Sequence, residues 1–252
     1  MRDDFNSPAY LSYLLEHCND ASGEGVDRVG GAGQIARHLR GLELKADSRA
    51  LEVGCGTGRV LEIARREYGV RMYGCDVSRP AIEYIRGNRP DFADRVFVLD
   101  DQGLRVAPSG WADAVVFWGC FELVPQRASL LETARILKAG GRALLSSVKH
   151  AAPFADDADA QAALKAYREK QVPIAVSDPE SFERFARSLG FEIVRRVVFE
   201  RKQDLVPDRF VVDQGGRRTF SEAFYLLEKQ RDLDVALDFS RYFGADEAPE
   251  FR

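Results

Sequence analysis

The chain has 252 residues, of which 45% are hydrophobic and 30% charged, with a formal net charge of −4. That is the composition of an ordinary globular protein, long enough to bury a full core as one domain with additions. The weak acidity argues against a nucleic-acid groove as the main surface, since phosphate binding needs clustered Lys and Arg, and no apolar run is long enough to span a bilayer.

The N-terminus, Met1-Arg2-Asp3-Asp4-Phe5-Asn6, carries acids and lacks an apolar signal core, so a cytoplasmic location is expected by default. Residues 7–19 spell a helix, with Ser7 as cap, Pro8 in the first turn and Tyr10, Leu11, Leu14 and Leu15 on one face. Gly23, Gly25, Gly30, Gly31 and Gly33 punctuate a loop, and a short helix follows with Ile35, Leu39 and Leu42 near one side. From 49 to 150 strand and helix signals alternate, which predicts a parallel sheet covered on both faces. After Lys149-His150 the alternation breaks. Residues 151–176 are rich in alanine and acids, with a helical stretch near 158–170. Ser177-Asp178-Pro179-Glu180 starts a helix that Gly190 ends, and Phe191–Phe199 reads as a long strand. Arg209–Val212 is expected as its antiparallel partner, and Thr219–Phe243 as a helical tail carrying Phe220, Phe224 and Leu227. The four cysteines form no C-x-x-C pair and the three histidines are dispersed, so no metal site is expected.

The densest signal is Leu51-Glu52-Val53-Gly54-Cys55-Gly56-Thr57-Gly58-Arg59, an apolar strand, alternating glycines and then an amphipathic run. Glycine is required where backbone takes a positive φ or lets a ligand lie against it, and the helix start beyond offers free N–H groups. The spacing is G-x-G-x-G rather than the G-x-G-x-x-G of dinucleotide sites.

This stretch resembles motif I of class I S-adenosylmethionine-dependent methyltransferases, an acidic residue followed by G-x-G-x-G. The resemblance continues in order over roughly residues 48–149. A second strand, Val70–Cys75, ends in Asp76; Val96–Leu99 leads into Asp100-Asp101-Gln102; Asp113–Phe117 matches the fourth strand. Arg135–Leu145 is similar to the "R-x-L-K-P-G-G" turn into the fifth strand, with Ala139 in the place of proline.

The resemblance implies an α/β fold, doubly wound, with a mostly parallel seven-stranded sheet and helices on both faces. It divides one methyltransferase domain into an N-terminal helical cap (1–46), a cofactor-binding core (47–150), a lid insertion (151–176) and the last strands with a helical tail (177–252). S-adenosylmethionine is the implied cofactor. Glu52, Gly54, Cys55, Gly56 and Gly58 would meet its methionine and ribose part. Asp76 would take the ribose hydroxyls, although a helix N-cap is a second use for it, and Val77 would lie against the adenine. Asp101, placed by its spacing from Phe97, would meet the adenine amino group, and Gln102 would offer its backbone N–H. Phe117 borders the methyl group in the family and can equally pack the core. Trp118 could wall an aromatic or cationic acceptor, with core packing as the alternative.

For a base, His150 at the end of the fifth strand titrates near neutrality and could deprotonate a hydroxyl acceptor, the competing reading being a loop histidine. Glu122 is the second candidate. Lys149, Tyr10, Tyr13 and His17 could line the acceptor space, though a tyrosine stripe also serves packing. The leading expectation is methyl transfer to a small molecule by a monomer or homodimer, with no nucleic-acid or membrane partner. The alternatives are a tRNA or rRNA methyltransferase, which would need a basic face from Arg195, Arg196, Arg201, Lys202, Arg217 and Arg218, and a member of the fold that holds the cofactor without methylating. A nicotinamide-dependent reductase is disfavoured by the glycine spacing and the lack of Tyr-x-x-x-Lys.

Overall fold

The structure, a computed structural model, describes residues 5–18, 32–99, 107–151, 176–199 and 220–232. Its first helix, α1 (Pro8–Cys18), starts where the sequence signals it, with Ser7 Oγ accepting the Tyr10 N–H at 3.1 Å. The next, α2 (Ala32–Leu39), takes Gly33 into its first turn instead of leaving it in a loop. Burial of Ile35 and Leu39 on the same helix outweighs glycine's poor helix propensity there.

The alternating pattern then becomes β1 (Ala50–Val53), α3 (Arg59–Tyr68), β2 (Tyr73–Asp76), α4 (Arg79–Asn88), β3 (Val96–Val98), β4 (Ala112–Phe117), α5 (Gln126–Ile136) and β5 (Leu137–Ala151). Beyond it lie β6 (Val176–Ser177), α6 (Pro179–Ser188), β7 (Phe191–Phe199) and β8 (Phe220–Lys229). Side chains cap two further helices. Ser78 Oγ accepts the Ala81 N–H at the start of α4, and Asp178 Oδ2 accepts the Ser181 N–H at the start of α6, each with a proline in the first turn.

Seven strands run in the order β3-β2-β1-β4-β5-β8-β7, with β6 paired beside β5 off this path. Strands β1 to β5 are parallel, and β8 is antiparallel to both β5 and β7. Period-two alternation sends Leu51, Val53, Val115 and Phe117 to one face, against α5 and α6. Ala50, Ala114 and Val116 face α2, α3 and α4 on the other. Chain order reverses about β1, whose neighbours are β2 and β4, and in open α/β sheets ligands bind beyond the strand C-termini at such a point. Arg142 ties the chain ahead of β1 to the far half of the sheet, donating to the Gly41 carbonyl at 2.9 Å and to Glu228 at 2.8 Å.

The C-terminal reading needs correction. Within the expected helical tail, 220–229 is a strand, antiparallel to β7. Its position between β5 and β7 buries both of its faces: Ala223, Tyr225 and Leu227 join one core, Phe224 and Leu226 the other. Five consecutive apolar residues fit a helical spacing and a two-sided strand equally well, so periodicity could not decide. Residues 209–212, the tail beyond 232, the glycines at 23–31 and the lid segment from 152 to 175 lie outside the described residues. No helix among the described residues is long and apolar enough to cross a membrane.

If β8 is a central strand, Leu227→Ala should destabilise the protein by about 2–5 kcal/mol, measured by urea unfolding. A change of less than about 0.5 kcal/mol, as for a surface residue, would contradict the burial.

Candidate active site

The turn after β1 is built to expose backbone. Gly54, at φ 73°, has no room for a side chain: a Cβ there would stand 2.7 Å from Cys120 Sγ. The N–H groups of Gly54 and Cys55 donate to the Cys75 carbonyl at 2.8 and 3.0 Å, fastening the turn to β2. Gly58 N–H donates back to the Cys55 carbonyl at 2.8 Å, closing the turn before α3 begins. From the end of α4, Arg89 donates to the Thr57 carbonyl at 2.8 Å and pairs with Glu62, so a second helix steadies the same turn. Above it, Leu14 of α1 would lie 3.8 Å from a Cβ at Gly56.

Asp76 closes β2 and is 5% exposed. Its Oδ2 accepts the Gly56 N–H and its Oδ1 the Ser78 N–H, both at 2.8 Å. Burial pushes its pKa up, and the backbone N–H groups of Ser78, Gly56 and Val77 pull it back. Each carboxylate oxygen has two lone pairs, so each could still accept a hydroxyl. The helix-cap alternative falls to Ser78, whose hydroxyl takes that place on α4.

Glu52, on β1, is 2% exposed, and its Oε2 has no hydrogen-bond partner among the described residues. Burial first, then the Asp76 charge, raises its pKa well above the ordinary range. An orphaned buried carboxyl is costly and is relieved by a cationic partner. The charges of Glu122, Asp76 and Glu52 all reach Cys120, whose thiol burial keeps protonated. Acids from β1, from β2 and from the loop after β4 therefore converge beside the glycine turn. A ligand with positive charge and a diol fits this donor set. No group of His, Cys, Asp and Glu among the described residues could hold a metal ion.

The other expected site residues are placed as follows. Phe117 is fully buried, edge to face with Phe121 at 5.2 Å between centroids. Trp118 packs at 5.8 Å from His38 of α2 and 5.6 Å from Phe224 of β8. Burial, aided by the charges of Arg195 and Arg37, lowers the His38 pKa to about 4, so this imidazole is neutral. Glu122 is buried in the single helical turn Phe121–Leu123. Tyr10 and Tyr13 stack on α1 at 6.2 Å. Lys149 and His150 are strand residues rather than loop residues: Lys149 pairs with Val176 and Glu222, and His150 with Ser177 and Ser221. Asp101 and Gln102, and the side chains of His17, Lys149 and His150, lie outside the described residues. Leu14 over Gly56, Cys120 against Gly54 and Ser146, whose hydroxyl meets the loop after β4, carry no local signal in the sequence, because long-range packing sets each contact.

The raised Glu52 pKa has a definite sign. The folded state keeps this proton to higher pH than the unfolded chain, so the carboxyl costs stability as pH rises. Glu52→Gln, which cannot ionise, should melt above the wild type by more at about pH 8 than at about pH 5, measured by thermal unfolding without ligand. An equal difference at both would show that Glu52 titrates normally.

A family profile described as "methyltransferase domain" matches residues 28–196. The chain is 27% identical over 130 residues to a demethylmenaquinone methyltransferase from Paenarthrobacter aurescens (strain TC1), covering 50% of each chain. It thus spans about half the length of that curated relative. Its fold resembles the crystal structure of geranyl diphosphate C-methyltransferase from Streptomyces coelicolor A3(2) in complex with Mg2+, geranyl diphosphate and S-adenosyl-L-homocysteine. That likeness has a TM-score of 0.62 at 16% identity, over 79% of this chain and 80% of that one. A geranyl diphosphate methyltransferase in complex with SAM gives a TM-score of 0.64 at 14% identity, over 88% of this chain and 91% of the other. With more than half of the chain matched by the profile, and strand order and motifs in agreement, the protein belongs to the class I S-adenosylmethionine-dependent methyltransferase family.

Proposed function

We propose that this protein transfers a methyl group from S-adenosylmethionine to a small-molecule acceptor by in-line displacement. One observation carries the reading. Asp76 is held by two turn N–H groups with lone pairs to spare, and near it stands the buried Glu52, whose Oε2 lacks a partner among the described residues. When bound, the cofactor supplies a methyl group on a sulfonium, a good leaving group, so the protein's task is to position two reactants and exclude water.

In this reading the glycine turn from Gly54 to Gly58 lets the cofactor lie on backbone. Asp76 takes the ribose hydroxyls and Glu52 faces the positive end. Val77, Asp101 and Gln102 hold the adenine. The loop from Phe117 to Glu122 borders the acceptor, with Trp118, Lys149, Tyr10 and Tyr13 around its space. The acceptor class rests on the acidic balance of the chain and on the small molecules in the names of the relatives. An RNA acceptor would call for a contiguous basic face; of the residues that could form it, Arg196 is engaged with Glu183 at 2.7 Å.

Asp76→Ala should weaken S-adenosylhomocysteine binding about ten- to a hundredfold, the loss of a charge-assisted hydrogen bond of roughly 1.5–3 kcal/mol. Calorimetric titration of a variant shown to be folded measures this, and unchanged affinity would remove Asp76 from the site. We further propose His150 as the base for a hydroxyl acceptor, ahead of Glu122. His150→Ala should then lower single-turnover rates by roughly 10²–10⁴ without altering cofactor affinity. Full speed in that variant would sink the assignment.

A further inference from the structure

The fifth strand is irregular where it reaches the site. Its parallel pairing with β4 runs as far as Phe117↔Leu145. Against β8, Leu145 faces Tyr225 and Val148 faces Ala223, so Ser146 and Ser147 together stand opposite the single residue Phe224. This is a bulge, with one extra residue on β5. Ser147 sits at φ 59°, a left-handed conformation that costs a non-glycine residue energy, and it is 1% exposed. Strain of this kind persists only where the surroundings enforce it, and bulges beside active sites re-aim side chains.

The re-aimed side chain is that of Ser146. It is fully buried, and its Oγ accepts the Gly119 N–H at 2.6 Å. Gly119, at φ 68°, turns the chain directly into Cys120. The Cys120 S–H donates to the Val53 carbonyl at 3.0 Å, and its sulfur fills the space that a side chain on Gly54 would need. Burial, with the acids around it, holds this thiol in the protonated donor form. A chain of contacts thus runs from the β5 bulge through the loop after β4 to the first glycine of the turn, whose N–H is bonded to Cys75 beside Asp76.

We infer that Ser146 is a positioning residue for the cofactor site, acting through Gly119 and Cys120 to seat the glycine turn. The inference rests on the reading of that turn as the cofactor site. It accounts for a strained serine and a buried hydroxyl at the place where β5 parts from β4. It also couples the loop expected to border the acceptor to the loop expected to hold the cofactor.

A double-mutant cycle on the full chain tests this, with S-adenosylhomocysteine as the probe in calorimetric titrations. Ser146→Ala and Cys120→Ala should each weaken binding about three- to tenfold, the loss of one hydrogen bond. Because both act through one contact chain, the double variant should bind within about twofold of the weaker single variant. Cys120→Ser, which keeps a donor, should recover most of the affinity lost in Cys120→Ala. Wild-type affinity in both single variants, or losses that multiply in the double, would overturn the inference. Should Ser146→Ala fail to fold, the Cys120 pair decides: equal affinity in Cys120→Ala and Cys120→Ser would overturn it. A wild-type protein that binds no S-adenosylhomocysteine would instead overturn the reading of the turn on which the inference rests.

Discussion

A buried carboxylate that accepts hydrogen bonds from two different turns is the constraint on which the site depends. Asp76 ends β2, receives the Gly56 N–H from the turn after β1, and receives the Ser78 N–H from the turn that starts α4. Removing a carboxylate from water is unfavourable, and backbone N–H donors are the groups that offset it here. The result fixes the spacing of two loops from two parallel strands. The two oxygens carry four lone pairs, more than these two bonds use, so the carboxylate keeps capacity to accept a ligand's hydroxyls.

Around that centre the electrostatics are consistently one-sided. Glu52 and Glu122 are buried, with their charges reaching the same cysteine as that of Asp76. The thiols of Cys55, Cys75 and Cys120 are all pushed upward by burial and by these acids, so they serve as packing atoms and weak donors rather than as nucleophiles. A site edged by buried acids, with the Glu52 Oε2 unrelieved among the described residues, and by inert thiols disfavours anions and favours a cation, and the sulfonium cofactor of this family is cationic. The stability lost in burying Glu52 is of the kind that functional sites carry and that ligand binding recovers.

The core of this arrangement was legible in the sequence because it is local. A strand, glycines at fixed spacing, a helix and an acid at the next strand end can each be read within a few residues, and their order gave both fold and cofactor. What could not be read is set by long-range contact. Residues 223–227 are five consecutive apolar side chains, so only the place of 220–229 between β5 and β7 shows them to be a strand. Ser146 and Ser147 look like ordinary strand-end serines until the register of β8 against β5 reveals the bulge. Trp118 and His38 lie 80 residues apart in the chain, and only the packing of α2 on the sheet brings their rings together. The three-residue run Gly119-Cys120-Phe121 carries no hint that its cysteine excludes a side chain from Gly54.

The most direct measurement is a crystal structure of the full chain with S-adenosylhomocysteine. The account predicts the ribose hydroxyls within about 3 Å of the two Asp76 carboxylate oxygens, which keep their bonds to Gly56 and Ser78. It also predicts the amino group of the ligand on the Glu52 side of the glycine turn. A ligand bound elsewhere, with Asp76 bonded to nothing but its two turns and Glu52 still unrelieved, would contradict it.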